Sequence, residues 1–187
     1  MGLDMYLTRK TYVENWHHMT PEQRHAVTVT GPRAKLIQPE RISRVEEQVG
    51  YWRKANAIHN WFVKYVQGGV DECQDSYVSR AQLADLLFRV RQVLYNSELV
   101  EGVIQNGSTS SPETGGQIVP VLEKGKIVAD VDCAQDLLPT TSGFFFGSTD
   151  YDENYIDDLK HTKQIIEAIL AVPDKEDDAS YHYHASW

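Results

Sequence analysis

The sequence predicts an α+β protein: a single domain with a small, mainly antiparallel sheet packed by a helical hairpin and a C-terminal helix. Three observations carry that expectation. Leu3, Met5 and Leu7 alternate with Asp4, Tyr6 and Thr8, the period-two pattern of a half-buried strand. Three later stretches carry apolar residues at helical spacing, and short apolar runs near 118–131 supply further strands.

At 187 residues the chain is long enough for one sizeable core. Hydrophobic residues make up 41% and charged residues 24%, with a net charge of −9. That balance disfavours general affinity for nucleic acid or for an anionic membrane. No apolar run reaches the roughly 18–20 residues needed to cross a bilayer, and residues 1–20 lack the basic and apolar regions of a secretion signal. A cytoplasmic protein is therefore expected. Cys73 and Cys133 form neither a disulfide framework nor a CxxC half-site, so two reduced structural thiols are expected, with no metal and no cofactor.

After the first strand, Thr20-Pro21-Glu22-Gln23 predicts one helical turn, and Ala26–Thr30 a short strand stopped by Gly31-Pro32. His17 and His18 are neighbours in sequence and point apart on regular elements, with no carboxylate or thiol spaced to join them as ligands.

Ile42, Val45, Val49, Trp52, Asn56, His59, Val63 and Val66 then fall on one stripe of a 3.6-residue helix, widened by Ala55 and Phe62. This long central helix is expected to end at Gly68-Gly69. Two residues on its apolar face do not belong there. An unpaired buried amide or imidazole costs on the order of 1–3 kcal/mol, so Asn56 and His59 must find partners. Those partners are backbone carbonyls under the helix, or a ligand, or a substrate if His59 acts as a base. In the ligand reading, Arg53 or Lys54 meets an anion, Tyr51 or Trp52 stacks, and Asn56, His59 and Asn60 orient.

Ser79 with Gln82 makes a capping box, and Val78 with Leu83 a hydrophobic staple, so a second helix starts near Arg80 and buries Leu83, Leu86, Leu87, Val90, Val93 and Leu94. Its expected role is packing, as the second arm of the hairpin. Residues 96–117, with Asn106-Gly107-Ser108 and Gly115-Gly116, predict a flexible loop. Ile118–Leu122 and Lys126–Val131 flank Glu123-Lys124-Gly125 and predict a hairpin, with Pro120 on an edge.

Ser142, Phe144, Thr149 and Asp150 belong to a glycine-bracketed aromatic stretch that predicts a buried strand and a second wall of the ligand site. Ser148 or Thr149 is expected to cap the last helix, whose early carboxylates compensate its N-terminus. Asp150, Asp152 and Asn154 begin like a calcium loop, but Tyr155 replaces the required glycine and His161 the bidentate glutamate. Helix capping accounts for Asp150 and Asp152 better than a magnesium site. Pro173 stops the helix, the domain spans 1–173, and 174–187 reads as a frayed tail.

Met1–Leu7, Tyr51–His59 and Ser142–Tyr151 together resemble a group of small bacteriophage and prophage proteins. The resemblance covers most of the chain outside 96–117 and the last fifteen residues, and it carries no catalytic residues. It implies an accessory phage protein of the bacterial cytoplasm, neither capsid nor tail. Such proteins often antagonise host defence, some by sequestering nucleotide-derived immune signals. The expectation is thus a non-enzymatic protein that binds a small anionic nucleotide-like ligand, with a second copy of the chain or a host protein as further partners. An acidic inhibitor presenting Asp150–Asp158 to a host enzyme, and a nucleotide hydrolase using His59 with Asp150 or Asp152, are the alternatives.

Overall fold

Leu3, Met5 and Leu7 are each fully buried, as period-two alternation requires, and they put strand β1 (Asp4–Tyr12) at the centre of the molecule. The computed structural model describes residues 2–109, 117, 119–143, 145–175 and 177–187. β2 (Arg44–Arg53) and β6 (Ser180–Ser186) flank β1, and the short β3 (Ser76–Val78) lies beyond β6, all antiparallel in the order β2-β1-β6-β3. A separate two-stranded ribbon pairs β4 (Leu99–Thr109) with β5 (Val119–Val128). Four helices complete the chain: α1 (Asn56–Tyr65), α2 (Arg80–Asn96), α3 (Asp132–Leu137) and α4 (Glu153–Leu170).

The α+β class and the small antiparallel sheet are as the sequence predicts. Helices cover one face of the sheet: Phe62 of α1 stacks on Tyr183 of β6 with ring centroids 3.9 Å apart. α2 buries Leu83, Leu86, Val90 and Val93, and packs along α4, which buries Leu159 and Ile166. Each such side chain contributes roughly 1.5–3 kcal/mol. The antiparallel helix pair is therefore α2 with α4. β3 intervenes between α1 and α2, so those two do not form the expected hairpin.

The long central helix is the largest correction. Residues 44–53 form a strand, and only α1 is helical. Leu7 pairs with Gly50 but Thr8 with Gln48, which makes Val49 an extra residue in β2. That bulge lets Val45 and Trp52, seven apart, share one face, an odd spacing that a regular strand forbids and a helix permits. The Trp52 ring lies across Gly50, where a Cβ would come within 2.9 Å of it. Lys54, at φ +61°, then turns the chain into α1.

Other expectations fail for related reasons. Ala26–Thr30 forms no strand. Residues 99–109, expected in a flexible loop, are β4, and Glu123-Lys124-Gly125 lies inside β5 and not in a turn. Gly102 faces Gly125 across the ribbon, and Ile127 and Ile104 fill the space their missing side chains leave. Residues 139–143 and 145–149 form no strand, so the buried aromatic strand is not seen among the described residues: Phe146 is buried, but Phe145 is 43% exposed at φ +75°. The α4 cap is Asp152, which accepts the Tyr155 amide at 3.0 Å, and not Ser148 or Thr149.

The expected frayed tail is β6. Its entry is held by buried Asp177, which accepts from Arg9 of β1, Arg80 of α2 and Tyr181. As forecast, Ser79 caps α2 through a box with Gln82. No helix among the described residues is long and apolar enough to cross a membrane.

Candidate functional site

α1 begins where β2 ends, so its inward face meets both the sheet and the loop 139–149. Asn56 sits in its first turn and is 4% exposed. Its amide donates to the carbonyls of Phe146 at 3.2 Å and Ser148 at 2.7 Å, and its oxygen accepts from the Thr141 amide at 3.1 Å. One side chain thereby fixes both ends of that loop. One turn on, Asn60 donates to the Pro139 carbonyl at 3.0 Å.

His59, 1% exposed, is bonded at both nitrogens. Nδ1 lies 2.7 Å from the Tyr183 hydroxyl and Nε2 2.9 Å from Asp71. Burial pushes the Tyr183 phenol well above its ordinary range, with Asp71 and Cys73 adding to the effect, so it stays neutral and can donate. The arrangement that uses every proton has Tyr183 donating to Nδ1 and Nε2–H donating to the Asp71 carboxylate. Trp187 closes the chain by donating from Nε1 to the other Asp71 oxygen at 3.3 Å.

This network floors a cavity of about 450 Å³ lined by His59, Asn60, Val63, Asp71 and Trp187, with Thr141, Ser142, Gly143 and Phe146 on the loop side. The Phe146 ring meets His59 edge-on at 5.1 Å and lies 6.2 Å from Trp187. Apolar ring surface thus faces a few convergent polar groups, the usual composition of a small-molecule site. The Asn60 oxygen and the hydroxyls of Thr141 and Ser142 make no hydrogen bond to the described residues. Asp71 is the one charged lining residue, with no arginine or lysine.

The predicted site residues divide. His59, Asn60 and Ser142 line the cavity. Asn56 stands behind its wall, satisfied by backbone groups. Trp52 is buried under the sheet, donating from Nε1 to Thr162 at 2.8 Å, and offers no stacking face. Tyr51 and Arg53 point out from the opposite side of β2, and Lys54 packs beneath Gly147, outside the cavity lining. Thr149 and Asp150 lie on the exposed exit of the loop, away from the cavity. Phe144 lies outside the described residues.

Two alternative readings lose their geometry. His59 meets Asp71 and not Asp150 or Asp152, and neither of its nitrogens is left to abstract a proton. Asp152 is buried as a helix cap, so Asp150–Asp158 is not one acidic surface. Among the described residues no group of three or more His, Cys, Asp or Glu is placed to hold a metal.

Asp71 and Trp187 carry no local sequence signal and reach the site from a loop and from the end of β6. Comparison with protein-family models, with curated proteins and with solved structures finds no match to this chain.

Proposed function

We propose that the protein is a binding module whose cavity over His59 and Asn60 takes the planar, hydrogen-bonding end of a small nucleotide-like molecule. The observation that carries this reading is the fully bonded Tyr183–His59–Asp71–Trp187 floor beneath an open space of about 450 Å³. A floor with every proton committed is rigid before the ligand arrives, which lowers the cost of binding. The Asn60 oxygen and the Thr141 and Ser142 hydroxyls are left to read the edge of a heterocycle, and Phe146 and Trp187 supply apolar contact.

With Asp71 as the only charged side chain among the described lining residues, the site favours a neutral or cationic heterocycle, and an attached phosphate stays outside the mouth. The anionic recognition expected of Arg53 and Lys54 does not occur in this cavity. Sequestration of a host nucleotide-derived signal by a phage accessory protein is the use that the sequence resemblance implies, and we carry it as part of the same proposal.

Thermal-shift measurement with free nucleobases, nucleosides and nucleoside monophosphates tests the reading. Stabilisation by at least one base or nucleoside is expected, and Ser142→Trp, which fills the cavity from an exposed position, should abolish the shift and leave the unliganded melting temperature unchanged. Absence of any shift across the panel, or a shift that survives Ser142→Trp, overturns it.

A further inference from the structure

The helices occupy one face of the four-stranded sheet, and the other face carries an unusual set of side chains. Cross-strand pairing places Tyr51, Tyr6 and His184 in one row, one residue per strand, with ring centroids 5.4 and 6.0 Å apart. The next row holds Thr8, His182 and Tyr77, with the last two rings 6.0 Å apart. Tyr51 is 38% exposed and Tyr77 61% exposed. A solvated sheet face ordinarily shows short polar or charged residues, and two adjacent rows of rings, one across β2, β1 and β6 and one across β6 and β3, are a large apolar area left in water.

The charges on this face are unequal in a particular way. Every acid on or beside it already has a partner: Asp4 accepts from the Tyr51 hydroxyl, Glu46 pairs with Arg44, and Asp75 with Lys10 and His182. Arg53, opposite Asp4 and two residues along β2 from Tyr51, and the adjacent Lys54 form no ion pair among the described residues. The wider distribution agrees. Residues 1–54 hold nine Lys and Arg against six Asp and Glu, whereas the remainder holds nine against 21. The chain's net negative charge therefore lies beyond residue 54, and residues 1–54 carry a net charge of +3, nine against six.

We propose that this open sheet face binds single-stranded nucleic acid, with bases stacking on Tyr51, Tyr6 and Tyr77 and phosphates meeting Arg53 and Lys54. Flat rings accept any base by its face, while unpaired cations at the row's edge hold the backbone, the two elements that sequence-tolerant strand binding needs. A duplex hides its base faces and gains nothing from the platform. The cavity reading is independent of this one, because the two sets of residues lie on opposite sides of β6.

Fluorescence anisotropy of a labelled single strand of about ten nucleotides, titrated with the whole protein, tests the proposal. Binding near about 10 μM at low salt is expected, weakening as salt rises. Tyr51→Ala and Tyr77→Ala, both at exposed positions, should each weaken it about tenfold, and Arg53→Gln should reduce the salt dependence. Phe88→Ala, exposed on α2, should leave it unchanged. No binding at roughly 1 mM protein, equal affinity for the duplex, or indifference to both tyrosine substitutions would overturn it.

Discussion

The cavity and the open sheet face are built from the same strand with opposite logic. On β6, Tyr183 points inward and its hydroxyl is buried beside His59, while His182 and His184 point outward into the aromatic rows. The inward site is concave, carries one charged side chain, Asp71, among its described lining residues, and has its polar floor fully paired. The outward one is flat, with its acids neutralised by neighbours and its cations left over. Strand alternation separates, within one residue, a surface suited to reading a small molecule's edge from one suited to stacking many bases. Substitutions that strike one region and spare the other measure how independent they are.

The largest effect is expected at Asn56. Removing its side chain breaks three hydrogen bonds and leaves buried backbone groups of loop 139–149 unpaired, a loss of about 3–4 kcal/mol. Asn56→Ala should lower the denaturation midpoint accordingly and abolish small-molecule stabilisation, because the loop forms one cavity wall. Oligonucleotide binding should persist at temperatures where the variant is folded. Loss of both activities in a folded variant would show that the two regions are coupled.

A second test uses pH. Burial pushes the Asp158 carboxyl up to about 7, with Asp152 and Asp157 adding repulsion. Its backbone carbonyl accepts from Thr162, which in turn accepts from Trp52 on the underside of β2. The folded protein then holds a proton that the unfolded chain has released, so stability falls as pH rises from about 4 to about 7. Asp158→Asn should flatten that slope and stabilise the protein by about 2–3 kcal/mol at pH 8, measured by chemical denaturation at several pH values. Asp177 acts with the opposite sign at lower pH. Burial pushes it up, but hydrogen bonds from Tyr181 and Arg9 hold it below its ordinary value, and its contribution is lost as it protonates. Since Asp158 lies on the β2 side, its titration should alter strand binding more than cavity binding.

Residues whose structural role is local were readable from sequence, and those that depend on a remote partner were not. Ser79 and Gln82 announce α2 because both groups of the capping box lie within four residues. Leu3, Met5 and Leu7 announce β1 because its pattern is regular. β2 fails that test at Val49, where one inserted residue converts alternation into an apparent helical stripe. In β6, Tyr181, Tyr183 and Ala185 do alternate with His182 and His184, but tyrosine and histidine differ too little in polarity to mark an inward face. His59 stood out as a misfit on an apolar face, whereas Asp71 and Trp187 become its neighbours only through the fold. Arg53 and Tyr51 share one face of β2 while His59 lies on the other side, because the chain turns at Lys54 between β2 and α1.

The smallest expected effect is the most discriminating. Tyr51→Phe keeps the ring and removes only the hydroxyl that donates to Asp4 at 2.5 Å, a bond that raises the Tyr51 pKa. Because the pair is exposed, stability should stay close to that of the parent. A stacking platform needs the ring and not the hydroxyl, so strand affinity should stay within about twofold of the parent while Tyr51→Ala loses about tenfold. If Tyr51→Phe instead weakens binding as much as Tyr51→Ala, the hydroxyl is the recognition element, and the outer face reads hydrogen bonds as the cavity does.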